Sequence, residues 1–175
     1  MKALRRFGTL AVAMIIAVSS LMLGATPASA AGDVHYENVG NPGWCLDGDG
    51  NSAYLHECGH GNIDYQQWTV QDSGAMQVKH KVSGQCLQVV LTTGKVTLGF
   101  CNEQGVSWTA VGKNGWVKFV SNTSPAKCLR PDRTWEEPRT TYPLIVDWCD
   151  PNNHSANPLD VNGNVPNIVA WRWFF

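Results

Sequence analysis

The sequence repeats one dipeptide three times, as Cys45-Leu46, Cys86-Leu87 and Cys128-Leu129, at intervals of 41 and 42 residues. Each copy is followed by a second cysteine with an apolar residue three positions before it, and then by a tryptophan that ends the unit. These residues are Leu55, Cys58 and Trp68 in the first unit, Leu98, Cys101 and Trp108 in the second, and Val146, Cys149 and Trp173 in the third. A period near 40 residues indicates three units that bury one shared core.

Short runs of β-forming residues precede each Cys-Leu pair, at 34–36, 76–79 and 116–120, and clusters of turn-forming residues lie between them. Beyond the first thirty residues no window has a sustained apolar period of 3.6 residues. The pattern therefore predicts an all-β protein with about four short strands in each unit. The units span approximately 34–74, 75–115 and 116–175, and the last is long enough for two loops to leave the core.

The first thirty residues have the pattern of a secretory signal peptide. They combine basic residues near the start, an apolar run over 10–23 and the small-residue triplet Ala28-Ser29-Ala30. The apolar run is shorter than the roughly 20 residues that a helix needs to span a bilayer. We therefore expect a secreted, extracellular mature domain, residues 31–175, without a membrane partner.

Removal of this leader leaves an acidic domain. The leader contains three of the 13 basic residues and none of the 14 acidic ones, so the mature domain has a net charge of −4. Nucleic acids and anionic lipids are bound mainly by clustered Lys and Arg, and neither is expected as a partner. All six cysteines lie in the mature domain, where an oxidising compartment favours disulfides, although six cysteines allow 15 pairings.

The repeated motifs resemble those of the ricin B-chain-like, or R-type, lectins. Cys45-Leu46-Asp47, the Leu-x-x-Cys of residues 55–58 and Gln66-Gln67-Trp68 look like one repeat of that family, and the similarity continues in weaker form to the end of the chain. The resemblance implies a β-trefoil, in which three four-stranded units form a six-stranded barrel capped by three hairpins. It also implies one disulfide within each unit. The pairs are Cys45 with Cys58, Cys86 with Cys101, and Cys128 with Cys149.

The closing tryptophans, Trp68, Trp108 and Trp173, are expected in the core, because a large buried ring can close a small barrel. They are therefore interpreted as residues of the fold and not as ligand contacts.

The resemblance further implies a sugar site in each unit. Its carboxylate accepts hydrogen bonds from vicinal hydroxyls, an amide donates and accepts others, and a flat ring lies against the C–H face of the pyranose. Unit one supplies Asp47, His56, Tyr65 and Gln66 at these positions, which makes an altered but plausible site. Units two and three are expected not to bind. Their residues are Gln88, Gly99 and Gly105, and Arg130, Asp147 and Ala170.

Asp47 has a second interpretation, because Asp-Gly-Asp-Gly-Asn at 47–51 forms a turn whatever it binds. Both interpretations stay open at this point. The same segment has the first ligand spacing of a calcium loop, but Ser52 and Cys58 stand where that loop needs Gly and Glu. No metal and no cofactor are therefore expected.

The expected function is that of a non-catalytic carbohydrate-binding monomer with at most one weak site, in the first unit, for a galactose- or xylose-type glycan. An enzyme is not expected, because the motifs assemble neither an acid–base pair nor an activated nucleophile. The alternative is a protein-interaction or inhibitor-type scaffold, since a fold does not fix a function. It would act through the long loops of the third unit, which contain Trp135 and residues 150–167.

The leader generates the first prediction. Cleavage after Ala30 gives a secreted protein that begins at Ala31, because the small-x-small triplet ends there. Amino-terminal sequencing of the secreted protein tests this, and a start outside residues 29–33 would contradict it.

Overall fold

The structure, a computed structural model, describes residues 33–73, 75–113, 116–132, 140–149 and 167–175. These ranges contain twelve strands, two short 3-10 helices, Ile63–Gln66 and Asn167–Val169, and no α-helix. The strands are β1 (His35–Asn38), β2 (Trp44–Asp49), β3 (Ser52–Glu57), β4 (Trp68–Ser73), β5 (Ala75–His80), β6 (Cys86–Val89), β7 (Lys95–Gly99), β8 (Trp108–Lys113), β9 (Trp116–Ser121), β10 (Cys128–Pro131), β11 (Thr141–Asp147) and β12 (Trp171–Phe174). The predicted all-β class is confirmed, and β1, β5 and β9 are the strands expected before the Cys-Leu pairs.

Six strands form a closed barrel. The antiparallel pairs run from β1 to β12, β9, β8, β5 and β4 in turn. A bridge between Val34 and Trp68 closes the ring, with N–H to O=C distances of 3.0 and 2.9 Å in the two directions. Closure removes the unpaired sheet edges that would otherwise be exposed.

Three hairpins cover the barrel, β2–β3, β6–β7 and β10–β11. Their second strands, β3, β7 and β11, pair with one another about the approximate threefold axis. The first strand of each hairpin pairs with the barrel strand before it at the first cysteine of the unit, for example Glu37 with Cys45. This arrangement confirms the β-trefoil that the resemblance implies.

Each hairpin is joined by a disulfide to the segment that follows it. The bonds are Cys45–Cys58, Cys86–Cys101 and Cys128–Cys149, with Cα separations of 4.9, 5.0 and 4.8 Å. This is the pairing implied by the family resemblance. In the chain-entropy model, a closed loop of this size contributes about 3 kcal/mol by restricting the unfolded chain.

The core contains one fully buried tryptophan from each unit, Trp68, Trp108 and Trp171. Each indole N–H donates to the carbonyl of the leucine in the Cys-Leu pair of its own unit. The distances are 3.0 Å to Leu46, 2.8 Å to Leu87 and 3.4 Å to Leu129. The polar atom of each large ring is therefore satisfied in the interior, as burial requires.

The expectation that Trp173 closes the third unit is wrong, because Trp171 takes that position. Trp173 lies two residues further along β12, opposite Tyr36 of β1, and is 38% exposed. Side chains two residues apart point to the same face of a strand, so the alternation along β12 cannot tell which of Trp171 and Trp173 is the core residue. The third motif is therefore Val169-Ala170-Trp171, which matches Val106-Ser107-Trp108 of unit two.

Several expected features lie outside the described residues. They are the leader, Trp135 within 133–139, and the loop over 150–166. In the part of the chain that the structure describes, no helix is long and apolar enough to cross a bilayer.

The assignment of the third tryptophan generates a prediction on stability. Trp171→Ala lowers the free energy of unfolding by about 3 to 5 kcal/mol, because it removes a fully buried ring. Trp173→Ala, on the exposed end of the same strand, costs about 1 kcal/mol or less. Urea unfolding of the two variants measures the difference, and a larger loss for Trp173→Ala would reverse the assignment.

Candidate functional site

The four residues predicted for the site of unit one lie on three neighbouring elements. Asp47 is in β2, His56 is in β3, and Tyr65 and Gln66 are in the 3-10 helix. In the hairpin register Cys45 pairs with His56, so Asp47 is the diagonal neighbour of His56 on the same face.

The structure joins three of these residues in one hydrogen-bond network. Asp47 Oδ2 accepts from Gln66 Nε2 at 3.0 Å and lies 3.3 Å from His56 Nδ1. The contact with His56 is an ion pair when the imidazole is protonated and a hydrogen bond from its N–H when it is neutral. The carboxylate is thus held between a fixed amide and a ring that is partly exposed.

Gln66 does not fit the expected direct contact with a sugar. It is fully buried, and its amide also donates to Glu57 O at 2.9 Å and accepts from Gly59 N at 2.9 Å. A side chain with this many internal partners has little capacity left for a ligand. Gln66 is therefore a positioning residue that fixes Asp47 and the segment after β3.

Asp47 is not a turn residue, so the turn interpretation of this position is wrong. It lies inside β2, the turn of the hairpin is Gly50-Asn51, and the Asp47 residue is only 2% exposed. Its second oxygen, Oδ1, is buried without a hydrogen-bond partner in the described structure. Such an atom carries a desolvation cost that a ligand donor would relieve.

Two side chains that the sequence reading did not select border this network, Tyr54 and His60. Tyr54 lies two residues before His56 on β3, with the ring centroids 6.1 Å apart, and the His56 and His60 centroids are 4.6 Å apart. Burial, then the charges of Asp47 and Asp49, and then the interaction of the Tyr54 hydroxyl with the Asp47 carboxylate raise the pKa of Tyr54 to about 12. Side chains two residues apart on a strand point to the same face, so the spacing of Tyr54 and His56 could have identified Tyr54 from the sequence.

Tyr65 is displaced from the network toward the next unit. Its ring stacks on His80 at 6.1 Å, and its carbonyl accepts from His80 Nε2 at 3.0 Å. Burial lowers the pKa of His80, whereas its donation to the Tyr65 carbonyl acts in the opposite direction. Nδ1 lies 2.9 Å from Ser83 Oγ and accepts from Ser83 N at 3.4 Å, which fits the neutral ring. Tyr65 can therefore supply only the border of a site centred on Asp47.

The corresponding positions of unit two are filled by one side chain. Gln88 Nε2 donates to Glu103 Oε2 at 3.0 Å and to Gln104 O at 2.9 Å. A Cβ added at Gly99 would collide with the Gln88 amide. Gln88, at the position of Asp47, therefore fills the space above Gly99 that an aromatic ring would occupy.

In unit three the two positions form an ion pair with each other. Arg130 donates through Nε, at 3.2 Å, and through Nη2 to Asp147 Oδ2, and Asp147 Oδ1 accepts from Trp148 N at 2.8 Å. Burial alone would raise the pKa of Asp147, but the donors Arg130 and Trp148 N hold it below its ordinary value. The site residue before the Val-x-Trp motif is Ile168, not Ala170, because the motif tryptophan is Trp171.

Comparison with known proteins gives a family match over part of the chain. Residues 28–107 match the family model described as the ricin-type beta-trefoil lectin domain. A comparison with curated proteins finds no match.

Solved structures share the fold at low sequence identity. The designed threefold-symmetric protein ThreeFoil has a TM-score of 0.58 and 16% identity, over 81% of this chain and 98% of its own. The Macrolepiota procera ricin B-like lectin in complex with lactose has a TM-score of 0.60 and 16% identity, over 85% of this chain and 98% of its own. A mosquitocidal holotoxin has a TM-score of 0.60 and 15% identity over 81% of this chain. The matched part is only 17% of the toxin chain. These identities establish the similarity of fold alone.

The burial of Asp47 generates a prediction. Asp47→Ala lowers the free energy of unfolding by about 1 to 3 kcal/mol, because Gln66 loses a buried hydrogen-bond acceptor. Asp49→Ala, two residues later and exposed, changes it by about 0.5 kcal/mol or less. Urea unfolding of both variants provides the measurement. Equal stability of Asp47→Ala and wild type would show that the network does not support the fold.

Proposed function

We propose, from the match of residues 28–107 to the ricin-type beta-trefoil lectin domain, that this protein is a secreted, non-catalytic carbohydrate-binding protein with one weak site in its first unit. The ligand is a galactose- or xylose-type glycan, and the protein binds it as a monomer.

The observation that carries the proposal is the unpartnered oxygen of Asp47. Gln66 and His56 orient Oδ2, while Oδ1 is buried and has no hydrogen bond of ordinary geometry, although the Tyr54 hydroxyl interacts with the same carboxylate. After a movement of His56, a sugar hydroxyl that donates to Oδ1 would satisfy this atom, and the rings of Tyr54 and His56 offer apolar surface to the C–H face of the sugar.

The same geometry accounts for weak binding. The Asp47 side chain is 3% exposed and that of His56 is 20% exposed, so few atoms can contact a ligand without a movement of His56. One or two hydrogen bonds and a partial ring contact correspond to about 4 kcal/mol, or a Kd near 1 mM. Units two and three, closed by Gln88 and by the Arg130–Asp147 pair, add no equivalent site.

A binding role without catalysis fits the environment of the carboxylate. Asp47 is held by an amide and an imidazole and has no second carboxylate paired with it in the network described above. Glycoside hydrolysis generally needs two carboxyl groups on opposite sides of the scissile bond. Among the described residues, no group of three potential metal ligands is present either.

Calorimetric or NMR titration with galactose, lactose, xylose and xylobiose tests the site. We expect Asp47→Asn, which keeps the shape but removes the charge, and His56→Ala each to weaken binding at least tenfold, a loss of about 1.4 kcal/mol. Asp49→Asn, exposed on the same strand, is the matched control and should bind as wild type.

Circular dichroism and thermal unfolding establish that each variant is folded before it is titrated. A folded Asp47→Asn that binds as tightly as wild type would refute the site, as would loss of binding in Arg130→Ala. Failure of wild type to bind any glycan would favour the alternative, an interaction or inhibitor-type scaffold acting through the loops of unit three.

A further inference from the structure

The three units meet at three junctions, and one buried polar residue marks the same position in each. Asn38, His80 and Ser121 end the barrel strands β1, β5 and β9, and each is 1% exposed or less. In the sheet register they lie opposite Trp171, Trp68 and Trp108. The threefold repeat therefore allows a direct comparison of the junctions.

At two of these junctions the marked residue itself bonds the preceding unit. Between units one and two, His80 Nε2 donates to Tyr65 O at 3.0 Å, the Tyr65 ring stacks on His80, and Gln85 Nε2 bonds Asn51 Oδ1 at 3.2 Å. Between units three and one, Asn38 Nδ2 donates to Ile168 O at 2.9 Å. Tyr65 and Ile168 are the residues immediately before the Gln-x-Trp or Val-x-Trp motif.

The junction between units two and three lacks both large side chains, and Asn122 bridges it instead. Its Nδ2 donates to Ser107 Oγ and its Oδ1 accepts from Thr109 Oγ1, both at 2.8 Å. Gly105 stands in the place of Tyr65, and Ser121 stands in the place of His80. Ser121 Oγ bonds within its own loop instead, to Thr123 Oγ1 at 2.9 Å and to Lys127 N at 3.2 Å. A side chain cannot readily be restored at Gly105, because φ is +82° and a Cβ would collide with Val89 O.

A cleft of about 640 Å³ opens at this junction, bordered by the turn at 91–94, the segment at 103–107 and the loop at 122–127. Ligand pockets generally have volumes of about 300 to 1,000 Å³. We refer to this space as the junction cleft.

The lining of the junction cleft combines hydrogen-bonding groups with small apolar surfaces. Glu103 supplies a carboxylate and Lys127 an ammonium group, while Leu91 and Pro125 supply exposed apolar surface. Glu103 Oε2 already accepts from Gln88, and the Asn122 amide is bonded to Ser107 and Thr109, so Glu103 Oε1 is the acceptor for a sugar hydroxyl, and the apolar groups suit the C–H face of the sugar. One cation beside one anion gives no cluster of positive charge for a phosphate or a nucleic acid.

We propose that the junction cleft is a second carbohydrate-binding site, in which a sugar ring lies beside Gly105, the counterpart of the Tyr65 that fills the preceding junction. This inference rests on the proposed carbohydrate-binding function, but it uses none of the residues of the unit-one site. The ligand class is a neutral mono- or disaccharide at the end of a glycan, and Glu103 is the acceptor for its hydroxyls.

A second site changes the expected binding to a polysaccharide. Two weak sites on one rigid domain can bind two branches or two chain ends of a glycan at once. Once the first sugar is bound, the effective concentration of the second sugar at its site exceeds the concentration of a free sugar in solution. A monomer with two such sites is retained by a polysaccharide more strongly than its Kd for a single sugar predicts.

The test maps backbone amide shifts of the full mature protein by NMR during titration with galactose, lactose, xylose and xylobiose. We expect shifts in residues 91–94, 103–107 and 122–127 for at least one sugar, and their persistence in His56→Ala. Thr92→Trp, an exposed turn residue of the cleft, should abolish these shifts by filling the space, and Glu103→Gln should weaken them at least tenfold.

Val82→Trp is the control, because Val82 is 48% exposed in the loop after His80, which corresponds at the preceding junction to the loop at 122–127 of the cleft. It should leave the cleft shifts unchanged. Shifts confined to the unit-one residues in wild type would overturn the cleft proposal and leave the proposed function standing. Shifts confined to the cleft would support the cleft and overturn the unit-one site, whereas the absence of any shift would overturn both.

Discussion

The trefoil depends on one hydrogen bond made three times, from the indole N–H of a buried tryptophan to the carbonyl of the leucine in a Cys-Leu pair. The tryptophan belongs to a barrel strand, and the leucine belongs to the hairpin that caps the barrel. The bond therefore joins the two layers of each unit and satisfies the polar atom of a ring that is otherwise enclosed by apolar side chains. The neighbouring cysteine anchors the other side of the same hairpin, so one dipeptide fixes both the core and the disulfide.

A frame repeated in this way leaves equivalent surface positions free to differ. At the hairpin positions, Asp47 faces His56 in unit one, Gln88 occupies the space above Gly99 in unit two, and Arg130 pairs with Asp147 in unit three. Only the first arrangement leaves a buried acceptor oxygen without a partner in the described structure. The junctions differ in the same way. His80 and Asn38 bond the preceding unit at two of them, whereas at the third Ser121 bonds within its own loop and Gly105 borders an open cleft.

Much of the fold could be predicted from the sequence, because the repeated Cys-Leu pairs and the strands before them are local signals. The third tryptophan could not be assigned by counting, since Trp171 and Trp173 share a face of β12 and only the tertiary position buries one of them. The agreement between Val106-Ser107-Trp108 and Val169-Ala170-Trp171 was the signal that would have corrected it.

The candidate site was predicted less completely. Asp47, His56 and Gln66 do meet, but the burial of Asp47 and Gln66 follows from the packing of the 3-10 helix on the hairpin, which a turn-rich sequence does not indicate. The junction cleft could not be predicted at all. It depends on the spatial equivalence of His80 and Ser121, which becomes visible only when the strands are in register.

A glycan array probed with the folded, disulfide-bonded mature protein measures whether this trefoil presents a carbohydrate-binding surface. We expect selective retention on arrays that display terminal galactose or xylose, with displacement by the free sugar. Uniform absence of binding across neutral glycans, with the protein shown to be folded on the array, would contradict it.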